Sequence, residues 1–120
     1  MQLTLYYLAT CSTCARIMKD LKVNKFNFRL QDIKTEPITA AQLDEMKKMA
    51  GSYELLFSRV ALKYRALGLN NMSLTEKDYR KYILEEYTVL KRPVFIINNE
   101  IFIGNAPKTI YSRICEKCDI

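Results

Sequence analysis

Residues Leu3 to Leu8 alternate, are rich in Tyr and Leu, and run straight into Cys11-Ser12-Thr13-Cys14. The first segment reads as a strand, and beyond it the apolar period changes. Cys14, Ile17, Met18 and Leu21 fall at i, i+3, i+4 and i+7, one face of a helix of about three turns ending near Asn24. A second strand follows at Phe26 to Leu30, with Phe26, Phe28 and Leu30 on one side. The chain therefore opens with a short β-α-β unit that carries a cysteine pair at its first junction.

The middle of the chain has a helical pattern. Thr39 and Gln42 form a capping box just after the breaker Pro37, and Ile38 is placed to staple onto Leu43. Leu43, Met46 and Met49 or Ala50 give that helix one buried stripe, and Gly51 ends it. Short helical pieces run from Tyr53 to Leu67, with Gly68 as the stop. Thr75 opens a further helix, stapled by Leu74 and Tyr79, that turns Tyr79, Tyr82, Ile83 and Tyr87 inward. Residues 38–87 thus read as an all-helical insertion. Strands return at Pro93 to Ile97 and Ile101 to Gly104, joined through Asn98-Asn99-Glu100 as a β-hairpin. Pro107 suits the first turn of a last helix whose apolar positions are Ile110, Tyr111, Ile114, Cys115 and Cys118. The order is β-α-β, helical insertion, β-β-α, an α/β chain read as one domain over its 120 residues.

The chain has no histidine. That excludes Ser-His-Asp and Cys-His nucleophiles and every mixed cysteine/histidine metal site. A formal charge of +6 comes from 19 Lys+Arg against 13 Asp+Glu. The cations are interspersed with acids at helical spacing, as in Lys77, Arg80 and Lys81, which reads as solvated helix faces and not as a nucleic-acid surface. The longest strongly apolar run, Pro93 to Ile97, is too short to span a bilayer, and Met1 to Thr4 is no export signal. The expected compartment is the reducing cytoplasm, where cysteines serve chemistry or metal binding more often than structural disulfides.

Cys11 stands where the first helical N–H groups are unpaired and the helix dipole is positive, which stabilises a thiolate and lowers its pKa. Cys14, about one turn on, is within reach of it, so the pair can cycle between dithiol and disulfide, with Cys11 attacking and Cys14 resolving. A second pair, Cys115 and Cys118, raises a four-cysteine zinc site. Counted from Pro107 at 1.5 Å per residue, that pair lies about 12 Å or more down the last helix, and it also continues the apolar stripe of Ile110 and Ile114. The expectation is therefore packing or incidental thiols, and no metal.

Lys91-Arg92-Pro93 leads into a strand. A strand start alone accounts for a proline there. Alternatively, a cis peptide opposite the end of the first strand leaves the Arg92 region facing Cys11, where its guanidinium supports a thiolate or an anionic substrate group. Arg59, in Phe57-Ser58-Arg59, is a second candidate cation and would be equally ordinary as a solvated helix residue.

Four segments in order resemble the arsenate reductase-related family, which includes ArsC-type reductases and Spx regulators. They are Tyr6-Tyr7 through Cys11-Ser12-Thr13-Cys14, Leu56-Phe57-Ser58-Arg59 with Tyr64 to Leu69, Leu90-Lys91-Arg92-Pro93, and Ile103-Gly104. The resemblance covers essentially the whole chain. It implies a thioredoxin-like fold, a mixed four-stranded sheet of β-α-β and β-β-α halves, with a helical insertion. It places the catalytic or sensing cysteine at Cys11 and the arginine before a cis-proline at Arg92. This chain departs from the reductases in having Cys14 where they have serine, in Gly104-Asn105-Ala106-Pro107 where they carry an arginine, and in Glu54 near their middle arginine.

Three functions follow. The first is a thiol-disulfide oxidoreductase with Cys11, Cys14 and Arg92 as catalytic residues and Ser12, Thr13, Arg59 and Pro93 lining the substrate. It needs no bound cofactor and takes glutathione, or a thioredoxin or glutaredoxin partner, as reductant. The alternative is an Spx-like redox-sensing regulator that binds RNA polymerase, with no direct nucleic-acid or membrane contact. The third is a glutathione- and glutaredoxin-dependent arsenate reductase. A monomer is expected in each case.

Overall fold

The computed structural model describes residues 3–23 and 26–104. The chain divides into two compact units, one formed by Met1–Glu36 with Arg92–Ile120 and the other by Pro37–Lys91. The helix predicted from Pro107, with Cys115 and Cys118, lies outside the described residues.

The first unit is built on a four-stranded sheet in the order β2-β1-β3-β4. Its strands are β1 (Leu3–Tyr7), β2 (Arg29–Asp32), β3 (Val94–Ile97) and β4 (Glu100–Ile103), with helix α1 (Ser12–Leu21) between the first two. β1 pairs parallel with β2 and antiparallel with β3, and β3 pairs antiparallel with β4. This is the mixed sheet of a thioredoxin-like fold. Both central strands are buried on both faces, which is why their sequences read as nearly continuous apolar runs. On one face Leu3, Leu5, Phe95 and Ile97 meet Ile17 and Leu21 of α1 in a single cluster. Burying each such side chain contributes about 1.5–3 kcal/mol.

The second strand begins later than the apolar spacing suggests. Phe26 and Phe28 precede β2 and pack edge-on instead, with ring centroids 6.4 Å apart and a further 5.8 Å contact from Phe28 to Phe95. The ladder starts at Arg29 because that residue stands opposite Thr4. Within β2, Leu30 is 45% exposed while Gln31 is buried, its amide donating to the Glu36 carbonyl at 3.0 Å. The hairpin turn is also tighter than predicted. Glu100 already pairs with Ile97, which leaves Asn98-Asn99 as the loop, and Asn98 takes the positive φ of 56° that such a turn requires.

The second unit contains α2 (Ala40–Ala50), α3 (Leu62–Ala66) and α4 (Glu76–Glu85), with single 3-10 turns at Glu54–Leu56, Leu69–Asn71 and Tyr87–Val89. Both predicted starts are present as complete capping boxes, Thr39 with Gln42 and Thr75 with Asp78. Each satisfies two helix-end N–H groups that would otherwise lack partners. Gly68 takes a φ of 73° after α3, the left-handed conformation a stop position favours. Phe57 is fully buried and packs against Tyr79 at 4.9 Å and Tyr64 at 5.8 Å. One strand-like contact interrupts the helices, a bridge between Phe57 and Leu90 flanked by hydrogen bonds from Ser58 N–H to Val89 O and from Lys91 N–H to Leu56 O. Tyr87 falls beyond the end of α4 and is half-buried, because the helix stops at Glu85.

Phe95→Ala leaves a cavity in the sheet–α1 core and should lower unfolding free energy in urea titration by about 3–5 kcal/mol. Thr39→Ala, which removes one cap, should cost about 1 kcal/mol in the same measurement.

Candidate functional site

The turn from β1 into α1 is held by a hydrogen bond from Cys11 N–H to Leu8 O at 3.0 Å, and the helix begins as Ala15 N–H reaches Cys11 O at 3.1 Å. Cys11 is the N-cap residue, with extended backbone. Cys11 is partly exposed, whereas Cys14, on the stripe with Ile17 and Leu21, is fully buried. Both are free thiols.

The register of β1 with β3 brings in the third member. Tyr6 stands opposite Val94, so the residues just before β3, Arg92 and Pro93, arrive at the end of β1 from which the cysteine turn departs. The Arg92-Pro93 peptide is cis. Pro93 is buried and its carbonyl accepts from Gly104 N–H at 2.9 Å, tying the strand start to the end of β4.

The two thiols are shifted in opposite directions. Partial burial pushes Cys11 up, but hydrogen bonds from the Cys14 backbone and the Cys14 thiol, together with the charge and hydrogen bond of Arg92, outweigh it and leave Cys11 below the ordinary thiol value. Burial pushes Cys14 up to about 11, aided by the hydrogen bond and negative charge of Cys11 and opposed by a backbone hydrogen bond from Leu8. Of the two, Cys11 is therefore the thiol that ionises first as pH rises. Ser12 and Thr13 are exposed in the first turn of α1.

The sequence matches the ArsC family over residues 6–112. The chain belongs to the ArsC family. The regulatory protein MgsR of Bacillus subtilis strain 168 is 26% identical over 108 residues, spanning 88% of this chain and 85% of that protein. The global transcriptional regulator Spx 1 of Bacillus cereus is 26% identical over 103 residues, 84% of this chain and 78% of its own. The solved arsenate reductase from Vibrio cholerae superposes with a TM-score of 0.79 at 15% identity, covering 93% of this chain and 97% of the other, which shows the shared fold. An ArsC-family sheet with a cysteine pair at the first strand–helix junction is thus the setting of Cys11 and Cys14.

Arg59 belongs to the helical unit. There its Nη2 donates to Glu54 Oε2 and to Tyr79 Oη, each at 2.8 Å. Position 54, near the middle arginine of the reductases by the resemblance above, is therefore the acid that engages this chain's arginine. In the same unit Asp44 accepts from Tyr53 Oη at 2.6 Å and from Arg80 Nε at 2.9 Å, and these bonds hold its carboxyl down at about 2. Among the described residues no group of three or more Cys, Asp or Glu could hold a metal ion, and no helix is long and apolar enough to cross a membrane.

Sequence reasoning missed one feature of the site. A cavity of about 260 Å³ lies beside α1, lined by Tyr7, Leu8, Ala9, Ala15 and Met18. No residue type or spacing in the sequence marks such a gap between a helix and a turn.

Alkylation of the reduced protein by iodoacetamide near neutral pH should modify Cys11 and spare Cys14, as read by mass spectrometry of the digested chain. The Cys11 rate should rise with pH around a midpoint below that of an ordinary thiol. Arg92→Gln should move that midpoint upward, since it removes a positive charge that favours the thiolate.

Proposed function

We propose that this protein is a thiol-disulfide redox protein that works through a Cys11/Cys14 couple. The observation that carries this reading is the opposite displacement of the two thiols, with the accessible sulfur the more acidic and the buried one held protonated. Cys11 thiolate attacks one sulfur of a substrate disulfide, a Cys11–substrate bond forms, and the other sulfur leaves as a thiolate that takes a proton from solvent. Cys14 then loses its proton and attacks the Cys11 sulfur, releasing the second substrate thiol and closing the Cys11–Cys14 disulfide. The net change is one substrate disulfide reduced to two thiols and one protein dithiol oxidised. An external thiol or dithiol, glutathione or a thioredoxin or glutaredoxin protein, returns the couple to the reduced form. Arg92 favours the attacking thiolate electrostatically, and Pro93, Ser12 and Thr13 border the approach to it.

A second reading is supported by the relatives that are named as regulators over more than four-fifths of this chain. In it the same couple is a sensor, and its oxidation state alters binding to RNA polymerase. The chemistry at Cys11 and Cys14 is shared, so the two readings differ in what the disulfide is for.

Cys11→Ser should abolish reduction of a small aromatic disulfide, while Cys14→Ser should attack once and accumulate a stable mixed disulfide at Cys11, visible by mass. Catalytic turnover by Cys11→Ser would overturn both readings. Affinity capture with purified polymerase decides between them: equal or absent binding in the oxidised and reduced states leaves the oxidoreductase, and binding in one state alone selects the sensor.

A further inference from the structure

Cys11, Ala15 and Met18 form a stripe of α1 that adjoins the core stripe of Cys14, Ile17 and Leu21. The cavity of about 260 Å³ lies along it, with Ala15 and Met18 contributed by the helix and Tyr7, Leu8 and Ala9 by the end of β1 and the turn. Cys11, the N-cap residue, precedes Ala15 and Met18 on that stripe, and Ala9, two residues before it, lines the cavity.

The groove offers apolar contact. None of its five lining residues carries a charge at neutral pH. The backbone groups nearest to it are already used: Tyr7 O accepts from Ile33 N–H at 2.9 Å, and Leu8 O accepts from Cys11 N–H at 3.0 Å. The Leu8 backbone is further engaged by the Cys14 thiol. In size the groove falls below the roughly 300–1,000 Å³ of small-molecule and cofactor sites, and suits a side chain better than a whole ligand. Ala15 and Met18 lie about 6 and 10 Å along the helix from Cys11 at 1.5 Å per residue. Two or three extended residues, at about 3.5 Å each, cover that span. Met18 adds an adaptable wall, since an unbranched thioether refits around different apolar shapes.

We propose that this groove is a specificity subsite for the substrate of Cys11, taking a large apolar side chain that lies close in sequence to the cysteine of a polypeptide disulfide. The proposal rests on the reading of Cys11 as nucleophile. It sets polypeptide disulfides apart from oxidised glutathione, whose carboxylates meet no cation in this lining and whose glycine has no side chain to fill it. The chemistry is the exchange already written: the peptide sulfur bonds to Cys11 and the second half of a symmetrical peptide disulfide leaves as a thiol.

The test is the second-order rate at which reduced protein releases thiol from symmetrical peptide disulfides that differ only in Leu, Phe, Ser or Asp two residues from the cysteine on each side, with oxidised glutathione alongside. The Leu and Phe peptides should react about tenfold or more faster than the Ser and Asp peptides and glutathione, the scale on which apolar pockets discriminate. Ala15→Leu, which fills the groove, and Met18→Gln, which makes it polar, both suit a helix and should each collapse that ratio, with circular dichroism reporting that α1 still forms. Equal rates across the series, a preference for Asp or glutathione, or an unchanged preference in both variants overturns the subsite and leaves Cys11 chemistry standing. Failure of the wild type to react with any disulfide, or undiminished reaction by Cys11→Ser, defeats the nucleophile reading and the subsite with it.

Discussion

Tyr6 pairs with Val94, Leu5 with Phe95, Thr4 with Ile96 and Leu3 with Ile97, and this antiparallel register fixes two things together. It places Phe95 and Ile97 on the face that meets Ile17 and Leu21, and it delivers Arg92 to the end of β1 beside Cys11. Because side chains alternate along a strand, a slip of one residue would turn Phe95 and Ile97 away from α1. The same slip would shift Arg92 by about 3.4 Å along the strand, enough to lose a hydrogen bond to a sulfur. Core packing and thiolate stabilisation therefore depend on one ladder.

In a chain without histidine, the activation of a thiol has to come from fixed charge and oriented backbone. The cysteine turn supplies the backbone part, since an N-cap position faces the unpaired N–H groups of the first helical turn. Arg92 supplies the charge. Burial opposes ionisation at both sulfurs, and for each it is the largest single influence. What separates them is the depth of burial and the direction of their mutual hydrogen bond, which helps Cys11 ionise and hinders Cys14.

Helices were legible wherever a local rule fixes them. Thr39 with Gln42 and Thr75 with Asp78 are short-range chemical arrangements, complete within four residues, and Gly51 and Gly68 mark stops through backbone geometry that sequence states directly. The order of elements and the cysteine junction were legible for the same reason. The start of β2 was not, because Phe26 and Phe28 bury themselves by ring contact ahead of the ladder while Arg29 is set by its partner Thr4, a decision taken in another strand. Gln31 reads as a surface residue until the Glu36 carbonyl that satisfies it is known. Arg59 looked like a candidate ligand because its type suits anions, and only the fold reveals Glu54 and Tyr79 as its partners. At the site itself, Cys11, Cys14 and Arg92 could be named from residue types and order. The groove beside them could not, since it is a gap between a helix and a turn and no residue type announces it.

The opposite displacement of the two thiols also orders the proposed chemistry in time. Before reaction, Cys14 is held protonated first by burial, then by the hydrogen bond and negative charge of Cys11. When Cys11 is consumed in a mixed disulfide, its negative charge disappears, and with it the electrostatic hindrance to ionising Cys14. The influences that favour a Cys14 thiolate, the Leu8 backbone hydrogen bond and the charge of Arg92, belong to groups that the exchange does not alter. Arg92, no longer facing a thiolate at Cys11, still favours the one forming at Cys14. The resolving thiol thus becomes easier to ionise in the state in which it is needed, and the attacking thiolate is protected from premature competition in the state in which it is not. The second cysteine is in this sense a timing element, and the loss of the Cys11 charge is what sets the second step after the first.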